Sequence, residues 1–399
     1  MKKKLLSLLL GSVMVAGLLS GCSGSTNNEQ TTNVTNAPTQ SPDQSGEAAV
    51  TTTLDYPAID FNSEAVYGIG PDGETAGTLA DVMLTDDEKA QVKAGNFKVA
   101  FCYGQLDNQV NQTKLALAKA VFEELGIEVV SVTDGQSNAD KIVSDIETSM
   151  ALKPDAMLAM PYDPVATAAA LKEVSAAGTK LVLMENKATG LVAKQDYVTI
   201  VNSDSYGNGK YAADIMAREL GYKGTVAMVV YDVPFFTTNE RDRAFKETIE
   251  KSYPDIKIVD EVGFTDISRV GEAADGLFAN YPDVDAVYAS WDIPAEDVIA
   301  SAKAIGRDDL IMTTVDLGEN SASMIAANGI IRGSGVPRAS ESGQIEAYAV
   351  ACALIGKEIP TYLCSASQPI AHENILEGYE KCLGIKPPQT LIDTFNASK

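Results

Sequence analysis

The chain has 399 residues, of which 45% are hydrophobic and 22% are charged, a globular composition that excludes disorder over its whole length. Lys and Arg number 31 against 55 Asp and Glu, which gives a formal net charge of −24. No dense basic segment follows the extreme N-terminus, so nucleic acid is excluded as an expected partner. The length allows two packed domains.

Residues 1–21 have the three parts of a secretory signal, namely three lysines, an apolar run and small residues. The apolar run is too short for a comfortable membrane span. The following "LLSGC" resembles the bacterial lipobox, whose cysteine is acylated and becomes the mature N-terminus. The resemblance implies an exported protein anchored to the bacterial cell membrane by lipid on Cys22. The alternative is a short signal that ends in cysteine by chance.

Residues 22–53 are polar and have no apolar periodicity, which predicts a flexible tether. Residues 54–96 form an N-terminal extension before the first regular strand pattern. Its "GIGPDG" at 68–73 formally matches a dinucleotide-binding motif, but Pro71 and a further glycine-rich turn follow, so a loop is predicted. The segment 84–95 has an acidic start and a glycine stop, which predicts a short helix.

From Phe97 onward, apolar strand patterns alternate with helical patterns. In the first half, strands are predicted at 97–103, 127–132, 155–160 and 179–184, with helices that include 139–150 and 164–178. After Asp204 the alternation restarts, with helices at 206–220, 238–253 and 294–306 and strands at 225–231, 256–262, 286–290 and 310–315. The pattern predicts an α/β fold with two doubly wound parallel-sheet lobes in tandem.

Ligands of open parallel sheets bind outside the carboxyl ends of the strands. Carboxylates, amides, an arginine and aromatics follow the predicted strand ends: Asp107, Asn108, Asp163, Glu185, Asn186, Phe236, Arg241, Trp291, Asp292 and Asp316. Carboxylates accept hydrogen bonds, amides donate and accept, and aromatic faces pack against C–H surfaces. Together these types predict a pocket for a polyhydroxylated ligand with one apolar ring face.

Each of these residues also has a structural interpretation. Asp163 and Asp292 stand where helix N-caps stand. Phe235 and Phe236 are placed for a hydrophobic staple, and Arg241 for a solvated ion pair on a helix. Trp291, the only tryptophan, is either a platform for a sugar ring or a core residue.

The sequence contains no motif for enzyme chemistry, so binding without catalysis and without a cofactor is predicted. His372 is the only histidine, and neither H-E-x-x-H, G-x-S-x-G nor a P-loop occurs. The four cysteines after Cys22 show no C-x-x-C spacing, so no metal site is predicted. A disulfide between Cys364 and Cys382 is left open.

Several segments together resemble a type I periplasmic binding protein of the ribose and sugar class, the ligand-capturing lipoprotein of an ABC importer. They are "ALKPDAMLAMPYDPVATAAALKEVSAAGTKLVLMEN", "VNSDSYGNGKYAAD", "NERDRAFKETIEKSYPDIKIV", "YPDVDAVYASWD" and "AIGRDDLIMTTVDLG". The resemblance covers about residues 97–383. It implies two lobes joined by three hinge crossings near Ser203, Pro337 and Ser365. The N-terminal lobe would comprise 97–203 and 338–365, and the C-terminal lobe and tail 204–337 and 366–399.

The resemblance also implies that the strand-end residues above contact a sugar, with Ser203 at the first crossing among them. Three positions depart from the family pattern. Glu185-Asn186 replaces an acidic-basic pair, Ile267 replaces an arginine, and Pro337, followed by Arg338, replaces an amide. Arg338 joins the candidate contacts, and a strong preference for sugar acids would indicate that Arg241 and Arg338 act on a ligand carboxylate. Another sugar or sugar-like metabolite therefore fits as well as ribose.

The expected partners are a small sugar ligand, an ABC permease and, through the lipid, the membrane, and the protein is expected to be a monomer. Two other functions stay open. One is a sensor that hands a signalling furanose or nucleoside to a receptor kinase or chemoreceptor. The other is an extracytoplasmic carbohydrate hydrolase.

Overall fold

The computed structural model describes Tyr56 and residues 58–399. The predicted signal peptide, Cys22 and the tether at 22–53 therefore lie outside the described residues. All elements below belong to the unit Pro57–Lys399.

The first sheet has six strands: β1 (Lys98–Tyr103), β2 (Glu128–Asp134), β3 (Ala156–Ala159), β4 (Lys180–Met184), β5 (Thr199–Ser203) and β11 (Tyr362–Ser365). Their order is β11-β5-β4-β3-β1-β2, and every neighbouring pair is parallel. Alternate residues of these strands enter different hydrophobic clusters, with Phe101 and Leu158 on one face and Ala100 and Met157 on the other. Both faces are buried, which explains the nearly continuous apolar runs.

The second sheet also has six strands: β6 (Gly224–Tyr231), β7 (Ile256–Phe264), β8 (Ala286–Ala289), β9 (Ile311–Val315), β10 (Ile331–Pro337) and β12 (Ser367–Ala371). Their order is β12-β10-β9-β8-β6-β7, parallel throughout except for the antiparallel pair β10-β12. The two sheets correspond strand by strand, so that β4 and β9 hold the same place in the first and second sheet.

Twelve helices of the described residues cover the sheets: α1 (Asp86–Gly95), α2 (Gln109–Leu125), α3 (Ala139–Ala151), α4 (Ala168–Ala176), α5 (Ser205–Glu219), α6 (Phe236–Ser252), α7 (Val270–Asn280), α8 (Asp292–Ala304), α9 (Glu319–Ala326), α10 (Ala339–Leu354), α11 (Ile375–Leu383) and α12 (Gln389–Ala397). Side-chain caps begin several of them. Asn108, Asn138 and Asp204 each accept a backbone N–H from the first turn of α2, α3 and α5. Such a cap contributes about 0.5 to 2 kcal/mol.

The predicted alternation of strands and helices is present with ends that differ by a few residues. The largest difference is α4, which begins at Ala168 rather than 164. Residues 164–167 form turns instead, because Asp163 Oδ1 accepts the backbone N–H groups of Val165 and Ala166, both at 2.9 Å.

The chain passes between the two sheets three times. It leaves the first sheet after β5, returns after β10, and crosses once more from β11 to β12. The predicted fold of two parallel-sheet lobes is therefore confirmed. Over the part of the chain that the structure describes, no helix combines the length and apolar character needed to cross a membrane.

Candidate ligand-binding cavity

A cavity of about 80 Å³ lies between the carboxyl-terminal ends of strands from both sheets. Half of its lining comes from the first sheet and its connections: Gln105, Asn108, Val110, Asn111, Met160, Tyr162, Glu185 and Ser203. The other half comes from the second: Tyr231, Phe235, Thr237, Thr238, Arg241, Trp291, Asp316 and Pro337. A molecule in this cavity would contact both sheets at once.

Two carboxylates enter the cavity from equivalent places. Glu185 directly follows β4 and Asp316 directly follows β9, the corresponding strand of the other sheet. Both have left-handed backbone conformations, with φ of 64° and 69°. Non-glycine residues rarely adopt this conformation, which concentrates at functional sites. Each strand end turns sharply there and places a carboxylate in the cavity.

Each carboxylate pairs with a buried cation from an equivalent helix position. Lys114 is the sixth residue of α2 and bonds Glu185, while Arg241 is the sixth residue of α6 and lies 3.5 Å from Asp316. Arg241 also donates to the Ser290 carbonyl at 3.1 Å. The two lobes thus repeat one arrangement, a carboxylate at the strand end held by a cation from a helix.

Glycines allow both cation-bearing helices to be packed closely. A Cβ on Gly209 of α5 would lie 1.8 Å from the Arg241 carbonyl oxygen, and one on Gly343 of α10 would lie 2.4 Å from the Lys114 carbonyl oxygen. Real Cβ atoms do not approach backbone so closely. The positions of Lys114 and Arg241 therefore depend on glycine in the neighbouring helix.

Glu346 of α10 lies behind the first ion pair. It is fully buried, and its carboxylate is 4.0 Å from Lys114 Nζ. Neither carboxylate oxygen has a hydrogen-bond partner among the described residues. Burial raises the pKa of Glu346 to about 7, against the lowering effect of the Lys114 charge. Burial also lowers the pKa of Lys114, but the charges of Glu185 and Glu346 outweigh it, so its pKa lies above the ordinary value.

Aromatic rings form the apolar part of the cavity wall. Tyr162 and Tyr231 meet between the lobes with their hydroxyl oxygens 3.2 Å apart, and Tyr162 packs against Phe235 with ring centroids 5.7 Å apart. Trp291 lies edge-on to Tyr231 at 5.4 Å. Such faces suit the C–H surface of a sugar ring.

Two buried polar atoms of lining residues have no hydrogen-bond partner among the described residues. They are Asn111 Oδ1, an acceptor, and Arg241 Nε, a donor. An unpaired buried polar group costs about 1 to 3 kcal/mol. Neither atom is accessible to solvent in this arrangement.

The structure brings six of the predicted contact residues together on the cavity lining. They are Asn108, Glu185, Ser203, Arg241, Trp291 and Asp316. Asp107 and Asp292 line an adjoining part of the cleft, to which Asn108 and Asp316 also contribute. There Asp292 accepts the Ser321 hydroxyl at 3.1 Å, and burial, followed by the Asp316 charge, raises its pKa to about 7.

Two other predicted contact residues have structural roles. Asp163 caps the turn before α4, as described above, so its capping interpretation applies. Asn186 is buried, donates to the Pro161 carbonyl at 3.1 Å and accepts the Phe236 backbone N–H at 3.3 Å. Its polar atoms hold two segments together and do not line the cavity.

Phe236 and Arg338 also lie away from the cavity lining. Phe236 packs edge-on against Tyr362 of β11, and the preceding Phe235 lines the cavity instead. Arg338 is 5% exposed and bonds the Ser63 carbonyl and the Glu64 carboxylate of the N-terminal extension. The structure therefore does not bring Arg338 together with the candidate contacts on the cavity lining.

Asn111 on the lining and the supporting residues Lys114 and Glu346 were not among the predicted contacts. The signal was present in α2, where Asn111 and Lys114 continue the helical stripe of Ala118, Val121 and Leu125. A polar residue on a buried stripe needs a hydrogen-bond or charge partner, so it is a candidate for a functional site. Cys364 and Cys382 are free and buried, as are Cys102 and Cys352. The disulfide that the sequence left undecided is therefore not formed.

A comparison with protein families matches residues 99–358 to the periplasmic binding protein domain. The chain belongs to the periplasmic binding protein family. This match and the similar proteins described next confirm the resemblance to the sugar class of type I periplasmic binding proteins, while the lipoprotein part of it stays a prediction.

Similar proteins include the ribose import binding protein RbsB of Bacillus subtilis (strain 168), 27% identical over 203 residues that cover 50% of this chain and 64% of that protein. The D-apiose import binding protein of Actinobacillus succinogenes is 25% identical over 63% of this chain and 80% of that protein. These relatives are import binding proteins, in agreement with the predicted absence of enzyme activity.

Among solved structures, an ABC transporter solute binding protein from Agrobacterium vitis, bound with α-D-tagatopyranose, superposes with a TM-score of 0.66. It is 20% identical and covers 73% of this chain and all of that chain. This likeness shows a shared fold.

In this periplasmic binding protein, Trp291 offers a direct optical test of the cavity. It is the only tryptophan, is partly buried, and lines the cavity beside Tyr231. We expect its fluorescence to shift saturably with a bound sugar. Trp291→Ala should weaken binding by at least about 0.5 to 1.5 kcal/mol, measured by calorimetric titration. A core role would instead show little fluorescence response and a stability loss of about 3 to 5 kcal/mol in denaturant unfolding.

Proposed function

We propose that this periplasmic binding protein is exported, is anchored by lipid on Cys22, and captures a small neutral polyhydroxylated ligand between two lobes that close on it. The lobes comprise 97–203 with 338–365, and 204–337 with 366–399. As a monomer, it delivers the ligand to an ABC permease. Relatives named for ribose and D-apiose import support a sugar as the ligand.

The observation that carries this proposal is the division of the cavity lining between the two sheets. Each half supplies one carboxylate, Glu185 or Asp316, and the aromatic wall supplies apolar faces. Carboxylate oxygens accept hydrogen bonds from sugar hydroxyls, and the Asn111 amide and the Arg241 guanidinium add further polar groups to the lining. A ligand that bridges both halves would favour the closed arrangement by its contacts with each.

The charges of the cavity argue for a neutral ligand. Arg241, the cation on its lining, is already paired with Asp316, and Lys114, which supports the lining from behind, is paired with Glu185. A ligand carboxylate would meet the negative charges of these pairs without a free cation to offset them. Sugar acids should therefore bind much more weakly than the corresponding neutral sugars.

The test is a thermal-shift screen over pentoses, hexoses, nucleosides and sugar acids, with ribose, apiose and tagatose in the first set. A ligand at 100 times its Kd should add about 2.7 kcal/mol to the free energy of unfolding. Stabilisation by one neutral sugar, without turnover of its glycosides, supports the proposal. No stabilisation by any neutral sugar, or hydrolysis of a glycoside, would contradict it.

The anchor is tested separately. Cys22→Ala should release the protein from the membrane fraction, because the acylated residue supplies the only proposed attachment. Ser23→Ala, at the neighbouring residue, serves as the control and should stay membrane-bound. If the Cys22→Ala protein remained in the membrane fraction after a carbonate wash, the lipobox interpretation would be wrong.

A further inference from the structure

The N-terminal extension before β1 lies outside the segment that matches the family, which begins at residue 99. Its residues 61–77, called the hinge strap below, contact all three places where the chain passes between the sheets. The contacts are made by backbone and side chains together.

At the first crossing, the strap binds Asp204, which directly follows β5 and caps α5. The Asp204 carboxylate accepts the backbone N–H groups of Tyr67 at 2.7 Å and Gly68 at 2.9 Å. Asp204 is fully buried, so these bonds are shielded from water.

At the second crossing, the strap binds Arg338, which directly follows β10. Arg338 donates to the Ser63 carbonyl at 2.7 Å and pairs with Glu64, which also pairs with Lys381 of α11 at 3.0 Å. At the third crossing, the Gln368 amide of β12 donates to the Phe61 carbonyl.

The other end of the strap is joined to the first sheet. Gly77 N–H donates to the Tyr362 carbonyl at 2.9 Å, and its carbonyl accepts from Cys364 N–H at 2.8 Å, so Gly77 pairs with the edge strand β11. From there the chain continues through Val82 and Leu84, which lie in a core cluster of the first sheet. The strap is therefore fixed in the first lobe and bonded to the second.

We propose that the hinge strap acts as a fourth connection between the lobes and restricts their opening. The inference rests on the lobe movement of the proposed function but not on the identity of the ligand. Opening rotates one lobe about the crossings, whereas the strap is bonded to elements that move with each lobe. Rotation must therefore stretch or break the bonds made by residues 61–68. Their loss should shift the population of the ligand-free protein toward the open arrangement.

The test removes the ion pairs of Glu64 in the full chain. Glu64→Gln keeps the shape of an exposed side chain but abolishes its charge toward Arg338 and Lys381. Glu88→Gln is the matched control, since Glu88 pairs with Lys357 at 3.0 Å between α1 and the segment after α10 and does not bridge the sheets. Gly68→Ala is a second variant, because its Cβ would meet Asp204 Oδ1 at 2.9 Å and displace the strap from the first crossing.

The separation of the lobes is measured by double electron-electron resonance between spin labels attached at Val165→Cys and Ile267→Cys. These exposed residues follow the cavity-side ends of β3 and β7, one in each lobe. Cys22→Ser is present in every sample, and the four other cysteines are buried, so only the introduced thiols react. Circular dichroism checks that each variant is folded.

In the ligand-free protein, Glu64→Gln should raise the ratio of long to short distances about threefold to tenfold, from the loss of two partly exposed pairs. Gly68→Ala should act in the same direction, and Glu88→Gln should match the parent protein. Unchanged distances in both strap variants, or a shift to shorter distances, would overturn the proposal. Because no ligand is added, this result is independent of the sugar screen, which tests the ligand of the proposed function.

Discussion

Replacing Lys114 by alanine is expected to lower the free energy of unfolding by about 3 to 5 kcal/mol at pH 8. Lys114 is 1% exposed and lies between two carboxylates, Glu185 at the cavity and Glu346 in the core. Its loss leaves both carboxylates without a compensating cation, and Glu346 has no hydrogen-bond partner among the described residues. Removing one partner of a buried pair costs more than the pair itself contributes, because the remaining charge is stranded.

The fall in the free energy of unfolding caused by Lys114→Ala should be smaller at pH 5 than at pH 8. Burial raises the pKa of Glu346 from 4.5 to about 7, so between these values the folded protein holds a proton that the unfolded chain has released. The contribution of Glu346 to stability therefore falls as the pH rises through this range. Without the Lys114 charge, which lowers this pKa, Glu346 should stay protonated to higher pH. At pH 5 it is neutral and needs no counter-charge.

Urea unfolding of the parent protein and of Lys114→Ala, each at pH 5 and pH 8, measures how the stability loss depends on pH. Lys251→Ala is the matched control, since Lys251 also pairs with a glutamate, Glu247 at 2.7 Å, but its side chain is 69% exposed. An exposed pair contributes about 0 to 1 kcal/mol. If Lys114→Ala and Lys251→Ala lowered the free energy of unfolding equally at pH 8, Lys114 would not stabilise the protein through the buried carboxylates.

Replacing Arg241 by alanine is expected to weaken sugar binding by about 1 to 3 kcal/mol, which is about 5-fold to 150-fold in Kd. Arg241 lines the cavity, is 5% exposed, and has an Nε without a partner among the described residues. Its guanidinium also holds Asp316 in place at 3.5 Å. The variant thus loses a donor to the ligand and the cation that orients an acceptor.

Calorimetric titration with the sugar that gives the largest thermal shift measures this loss. Arg243→Ala is the control from the same helix, because Arg243 pairs with Glu240 and Glu247 on the outer face and its side chain is 44% exposed. Arg241→Lys should recover part of the affinity, since it keeps the charge but not the planar fork of donors. Unchanged affinity of folded Arg241→Ala would remove Arg241 from the binding site.

The sequence by itself determined the α/β class, the alternation of strands and helices and the strand ends at which polar residues collect. These features depend on local periodicity, and parallel strands buried on both faces have a strong apolar pattern. Glu185 and Asp316 could be selected as candidates for this reason, since each directly follows a strand, and Arg241 because it lies early in the helix that follows β6.

Local patterns do not determine which neighbouring side chain points inward. Phe235 and Phe236 are both consistent with the strand-to-helix connection, but only Phe235 lines the cavity. The choice depends on where α6 begins and on its packing against β11, where Tyr362 meets Phe236. A shift of one residue in the start of α6 would exchange the places of the two phenylalanines.

Only the tertiary structure decided the roles of Glu346, Arg338 and the N-terminal extension. Glu346 meets Lys114 because the chain returns to the first sheet at α10, after β10, and Arg338 is bonded to Glu64 rather than placed on the cavity lining. These contacts join residues far apart in the chain, and their partners are set by which sheet edge each segment reaches. Helix and strand periods describe contacts a few residues apart, so they contain no information about such pairs.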